Sequence, residues 1–181
     1  MKNKLRLTLV GGLVAGAALI PVAGGRSAHA ASTQNTVTAA NAIIDAVSNC
    51  RTAYLGPVQK DLTAKNGQQL VTDTQDMMSV CADGARTLAK MQISNSIPDA
   101  KVVKQFQTAG FSLDGSLYLW GSDVMHLASG QVKSGPGNGS KQDMSAELDN
   151  AATADGQCRQ LVTKLAKDLG LNQNRSFHKV R

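Results

Sequence analysis

The sequence predicts an all-α protein, an up-down-up-down bundle of four helices that follows a cleaved signal peptide. Apolar residues recur at spacings of three and four over most of the chain, which is typical of amphipathic helices. We find no run of alternating apolar and polar residues long enough to be a convincing strand. The 181 residues contain 42% apolar and 18% charged side chains, as expected for one ordinary globular domain.

The first thirty residues have the organisation of a secretory signal peptide. Residues 1–6 hold three positive charges and no acid, and residues 7–20 form an apolar segment. The small side chains of Ala28 and Ala30 suit a signal peptidase, so we expect cleavage after Ala30 and a mature chain that starts at Ala31. The apolar segment is too short to span a bilayer, which argues against a stable membrane anchor. The expected location is extracellular or periplasmic.

Most of the net positive charge belongs to the two ends of the chain. The formal net charge is +6, but four basic residues lie in residues 1–30 and three lie in residues 172–181. Residues 31–171 therefore contain 12 basic and 13 acidic side chains, which removes the main support for nucleic-acid binding. We expect residues 172–181 to be a flexible basic tail whose few charges suit, at most, weak contact with an anionic cell envelope.

Helical spacing defines the first two segments of the predicted bundle. The first has its apolar face at Val37, Ala40, Ile43, Ile44, Val47, Cys50 and Tyr54, and it continues through Val58 and Leu62. Gly56 and Pro57 should kink or divide it. After a turn at residues 65–67, the second segment has its apolar face at Leu70, Met77, Cys81, Ala85 and Leu88.

Two longer segments follow a connection at residues 94–98. Asp99 is placed to cap the third helix, and three internal glycines suggest a bend or a short break in it. Residues 129–140, rich in glycine, form a loop before the fourth helix, for which Gly170 is a natural stop. The third helix has its apolar face at Val102, Phe106, Ala109, Leu113, Leu117, Trp120, Val124 and Leu127. The fourth has its apolar face at Met144, Leu148, Ala151, Cys158, Val162, Leu165 and Leu169. An open array of five or six shorter helices is the alternative architecture.

Three cysteines can be brought to one level of such a bundle. Cys50 and Cys81 are equally distant from the turn between their helices, so antiparallel packing places them side by side. We expect these two to form a disulfide after export and Cys158 to remain free, with a bond from Cys50 to Cys158 as the next alternative. A metal site of three thiolates is a weaker interpretation, because the chain has no pair of cysteines at metal-binding spacing.

Two charged residues interrupt the apolar faces near the cysteines. Arg51 lies between Val47 and Tyr54 on the first helix, and Asp155 lies at a matching height on the fourth. Asp114 of the third helix comes to a similar level. A buried ion pair between Arg51 and Asp155 is one interpretation, and a small polar ligand-binding pocket formed by all three residues is another. A third is that Asp155 and the following glycine form a turn that interrupts the fourth helix.

The chain lacks the motifs of the common enzyme and cofactor classes. It has no recognisable combination of nucleophile, base and metal ligands, and its single glutamate, Glu147, excludes di-iron carboxylate chemistry. We therefore expect a secreted, non-enzymatic helical protein that binds an unknown protein or small molecule without a cofactor. The alternatives are a small-ligand carrier or an enzyme that uses the mid-bundle polar residues, and a haem carrier that uses His126 and Met144.

Overall fold

Four long helices account for most of the chain that the structure describes. The structure is a computed structural model that describes residues 24–131 and 139–169, with side chains from residue 33 onward. Within these ranges it contains no β-strand, and the prediction of an all-α protein is confirmed. The helices are α1 (Gly24–Ala53), the short α2 (Gln59–Ala64), α3 (Gly67–Lys90), α4 (Ala100–Ala128) and α5 (Lys141–Asp168).

The expected interruption of the first helix is present at Pro57. A π-helical turn, Tyr54–Val58, joins α1 to α2. Proline lacks an N–H and its ring clashes with the preceding turn of an α-helix, so a locally widened turn accommodates it. The chain then reverses at Lys65, which has the left-handed φ of 55°, and the side chain of Asn66 accepts a hydrogen bond at the start of α3. This tight turn keeps α3 alongside α1.

Asp99 does not cap α4, and the short break that was one expectation at its glycines is absent. Asp99 precedes the helix, but it has a left-handed φ of 55° and its side chain makes no capping hydrogen bond. The helix also runs unbroken past its glycines, because two of them lie where neighbouring helices approach. A Cβ on Gly110 would lie 2.7 Å from Cγ2 of Val47, and one on Gly121 would lie 2.6 Å from Cγ of Met78. Close packing at these positions offsets their poor helix propensity.

The other helices pack around α4. It contacts α1, α3 and α5, and α5 packs mainly along α4. Trp120 of α4 and Tyr54 meet edge to face, with ring centroids 5.4 Å apart. This arrangement buries one apolar core, whose largest fully buried apolar side chains are Trp120, Phe106, Ile43, Met77, Leu88, Leu113, Leu117, Val47, Val58 and Val103.

The predicted apolar faces extend further than the buried core. Leu62 and Leu127 are 39% and 46% exposed, and both lie in the last turns of their helices. Apolar spacing identifies a helix face, but it does not show how far the neighbouring helices cover that face. The alternative in which Asp155 and Gly156 form a turn is wrong, since α5 is continuous through this point.

Several sequence predictions fall outside the described residues. These include the charged and apolar regions of the signal peptide, the middle of the glycine-rich loop, the helix stop at Gly170 and the basic tail. Within the ranges that the structure does describe, no helix is both long and apolar enough to cross a bilayer.

Candidate functional site

A cluster of charged side chains lies in the interior between α1, α4 and α5. Arg51, in the last turn of α1, donates from Nε to Oδ1 of Asp155 on α5 at 2.7 Å. One helical turn further along α5, Nη2 of Arg159 lies 2.8 Å from Oδ2 of Asp155. The Asp155 carboxylate is fully buried, and each of its oxygens contacts one arginine. The predicted pairing of Arg51 with Asp155 is therefore confirmed, and Arg159 is a member that the sequence analysis missed.

Asp114 lies close to this cluster but is not paired with it. Its side chain is fully buried, and neither carboxyl oxygen has a hydrogen-bond partner among the described residues. Burial raises the pKa of this carboxyl to about 8. Because an unpaired charge is costly in the interior, the protonated form of Asp114 is the favoured one at neutral pH. Its Oδ2 lies against Gly84 of α3, where a side chain would collide with it.

The cysteines lie at the same level. Cys50 and Cys81 form a disulfide with their Cα atoms 4.5 Å apart, and Cys158 is free and buried, as the sequence predicted. Burial and, to a smaller extent, the nearby carboxyls of Asp155 and Asp114 together raise the pKa of the Cys158 thiol to about 12, against the opposing effect of the arginines. A thiol in this environment stays protonated, so it is neither a good nucleophile nor a metal ligand.

This arrangement decides between the chemical interpretations of the cysteines. With Cys50 and Cys81 oxidised, a site of three thiolates is excluded. The described residues also contain no group of three or more histidine, cysteine or acidic side chains placed to hold a metal ion. Asp155 is paired with both Arg51 and Arg159, whereas Asp114 offers buried oxygens that a small ligand could use. The ligand-binding role of Arg51, Asp155 and Asp114 stays a prediction.

His126 and Met144, the residues of the haem alternative, lie near the end of α4 and near the start of α5. Nδ1 of His126 lies 2.8 Å from the backbone oxygen of Ser122, one turn earlier in α4, so this nitrogen donates a hydrogen bond within its own helix. Met144 is half-buried near the start of α5. The nearby end of the loop is held by Asp123, whose fully buried Oδ1 accepts from the backbone N–H of Gly139 at 2.6 Å. This bond fixes the start of α5 against the end of α4.

An open groove on the surface between α4 and α5 is a feature that the sequence did not predict. One part of the groove, which we call the basic end because Lys101, Lys104 and Lys164 line it, has a volume of about 970 Å³. The small side chains of Ala100, Ala109 and Ser112 line it on the α4 side, and mainly polar side chains line it on the α5 side. The lining residues are Asn95, Ala100, Lys101, Lys104, Gln105, Thr108, Ala109, Ser112, Gln157, Gln160, Leu161 and Lys164.

The groove continues along the same two helices, but the side chains that line its second part are uncharged. The second part encloses about 450 Å³ and shares Ser112 and Gln157 with the basic end. None of its lining residues is charged, and Phe111 within it is 47% exposed. The exposed lysines and small residues that form the groove were visible in the sequence. Which of them face each other, however, depends on how α5 packs on α4.

Comparison with protein-family models, with curated proteins and with solved structures found no match to this chain.

Proposed function

We propose that this chain is an exported, non-enzymatic binding protein, built as an up-down-up-down bundle, that holds its partner in the groove between α4 and α5. The observation that carries the proposal is the groove itself, an elongated and open space beside a well-packed core. Open grooves between helices are a common way to bind a partner segment. The disulfide between Cys50 and Cys81 is compatible with an oxidising location outside the cytosol.

The test places a photoreactive residue in the groove. Ser112 is exposed and lines both parts of the groove, whereas Ser79 is an exposed serine on α3 outside it. Benzoylphenylalanine is introduced at one position or the other, and the full chain is produced in the organism that makes it. We expect irradiation to cross-link a discrete partner from Ser112 and not from Ser79. Capture of the same species from both positions, or from neither, would contradict the proposal.

A second candidate function is the binding of a small ligand beside Asp114. The observation that favours it is the buried carboxyl whose two oxygens lack partners among the described residues. Native mass spectrometry of the purified wild-type protein and of Asp114→Asn would test it. A mass above that of the polypeptide in the wild type, absent from Asp114→Asn, would support this site. Masses equal to those of the polypeptides alone in both proteins would contradict it. A visible absorption spectrum of the same wild-type sample tests for haem.

A further inference from the structure

Charge is distributed unequally along the α4–α5 groove. Lys101 and Lys104 of α4 and Lys164 of α5 line one end, and no carboxylate is among the described residues that line it. The other part, around Phe111 and Leu119, has no charged lining residue at all. A partner that occupies the whole groove therefore meets positive charge at one end and an uncharged, partly apolar surface at the other.

The positive end is only partly neutralised by the protein itself. Lys164 forms an ion pair with Asp168, with 2.5 Å between Nζ and Oδ2, and the charge of Asp99 also helps to raise the pKa of Lys164. Lys104 donates to the neutral side-chain oxygen of Asn95 at 2.6 Å, which leaves its charge uncompensated. Lys101 has no partner among the described residues. The ammonium groups of Lys101 and Lys104 are therefore available to a carboxylate ligand. Lys164 could also contribute, because an exposed ion pair such as the one it forms with Asp168 adds little to stability.

The uncharged part of the groove offers an anchoring surface. Among the described residues, Phe111 is the most exposed of the large apolar side chains, and Leu119 and Ala154 also line this part of the groove. Aromatic side chains in a groove commonly supply much of the binding energy when a partner covers them. Amphipathic peptide helices bind such grooves through apolar side chains spaced three or four residues apart.

These two halves together distinguish between two kinds of anionic partner. A uniform polyanion carries the same charge along its whole length, so the apolar half of the groove would face charges that it cannot pair. A peptide can carry acidic residues at one end and apolar residues at the other, and it then matches both halves.

We propose that the α4–α5 groove binds an amphipathic peptide segment whose acidic end lies against Lys101 and Lys104 and whose apolar side chains cover Phe111. This inference rests on the groove-binding function proposed above and adds the chemical class of the partner.

The probe is a synthetic fluorescent peptide of about 16 residues, with leucine at every third or fourth position in one half and four glutamates in the other. Its controls are the same peptide with lysine in place of glutamate, and the same peptide with serine in place of leucine. Inorganic polyphosphate serves as the uniform polyanion. Binding is measured by fluorescence anisotropy with the oxidised full chain, at low and at high salt.

Matched variants test each half of the groove. We expect Lys101→Glu with Lys104→Glu to weaken peptide binding at least about tenfold, whereas Lys60→Glu with Lys65→Glu, outside the groove, changes it less than about twofold. Phe111→Ser should weaken binding at least about fivefold, whereas Tyr118→Ser, on an exposed part of α4 that does not line the groove, should not. Circular dichroism confirms that each variant is folded.

Several outcomes would overturn the inference. An amphipathic acidic peptide is the wrong class of partner if the wild-type protein does not bind the acidic peptide, or if it binds the lysine-containing peptide equally well. It is also wrong if Phe111→Ser does not change the affinity and polyphosphate displaces the peptide completely. In each case, specific cross-linking from Ser112 would still leave the groove-binding function standing. Failure of that cross-linking together with failure of the peptide would remove both proposals.

Discussion

Arg51 of α1 and Asp155 of α5 form an ion pair in the interior of the protein, with 2.7 Å between Nε and Oδ1. The side chains are 7% and 0% exposed. The two residues are 104 positions apart in sequence, so the pair links the first long helix to the last. Because Arg159 contacts the other oxygen of Asp155, the carboxylate is shared between a buried and a more exposed arginine.

This sharing makes the two single substitutions unequal. Arg51→Met leaves Asp155 neutralised by Arg159, whereas Asp155→Leu leaves Arg51 buried without its carboxylate. We expect Asp155→Leu to lower the free energy of unfolding by about 3–5 kcal/mol, Arg51→Met to lower it less, and the double variant to lose less than the sum of the two. Denaturant unfolding measures all three. Additive effects below about 0.5 kcal/mol would show that the residues are not coupled.

Asp114 should make stability depend on pH. Its pKa is about 8 in the folded protein, against an ordinary value near 3.8 in the unfolded chain. Between these values the folded state keeps a proton that the unfolded state has released. The stabilising contribution is fully present below about pH 4 and is lost as the pH rises to about 8, with a limiting slope of about 1.4 kcal/mol per pH unit.

Asp114→Asn removes this titrating group while keeping its shape. The free energy of unfolding of the variant, relative to that of the wild type, should therefore increase steadily from pH 4 to pH 8. Urea unfolding at a series of pH values checks this. Parallel stability curves for the two proteins would show that Asp114 is ionised in the fold.

The cysteines should differ sharply in reactivity. We expect peptide mapping of the exported protein under non-reducing conditions to recover Cys50 linked to Cys81. Cys158, whose pKa is raised to about 12 by burial and by neighbouring carboxyls, should resist iodoacetamide at pH 8 in the native state and react once the chain is unfolded. Recovery of Cys158 in a disulfide, or its rapid alkylation in the native protein, would contradict this arrangement.

Two glycines should respond in opposite directions to alanine. A Cβ on Gly84 would lie 2.8 Å from the backbone oxygen of Ala46 and would also collide with Asp114, so Gly84→Ala should lower stability by about 1–3 kcal/mol. A Cβ on Gly115 meets nothing within 4 Å, so Gly115→Ala should raise stability by up to about 1 kcal/mol through better helix propensity. Thermal unfolding of both variants compares them directly, and equal effects would argue against close approach of α1 and α3 at Gly84.

Export makes a separate prediction about the mature chain. Mass spectrometry of the secreted protein should show Ala31 as the first residue, because Ala28 and Ala30 fit the signal-peptidase site. Extracellular protein that retains Met1 would contradict cleavage.

The sequence by itself determined the helical class and the level of the polar cluster. Apolar spacing is a local property of each helix, and a tight turn fixes the relative heights of the helices that it joins. For this reason Cys50 could be matched with Cys81 before any contact was known. Arg51 and Asp155, which no single turn connects, were brought to one level by counting residues from the ends of their helices, and their pairing was one of several interpretations.

Only the tertiary structure decided which helix faces are covered and which stay open. Asp99 has the residue type of a cap but adopts a backbone conformation in which it does not cap, and Gly110 lies at a close helix contact without breaking α4. Arg159 joins Asp155 because α5 stays helical at that point. The α4–α5 groove was not predictable from the sequence. An open groove forms where the facing side chains do not fill the space between two helices. Which side chains face each other depends on how the helices pack, not on the residue pattern within either helix.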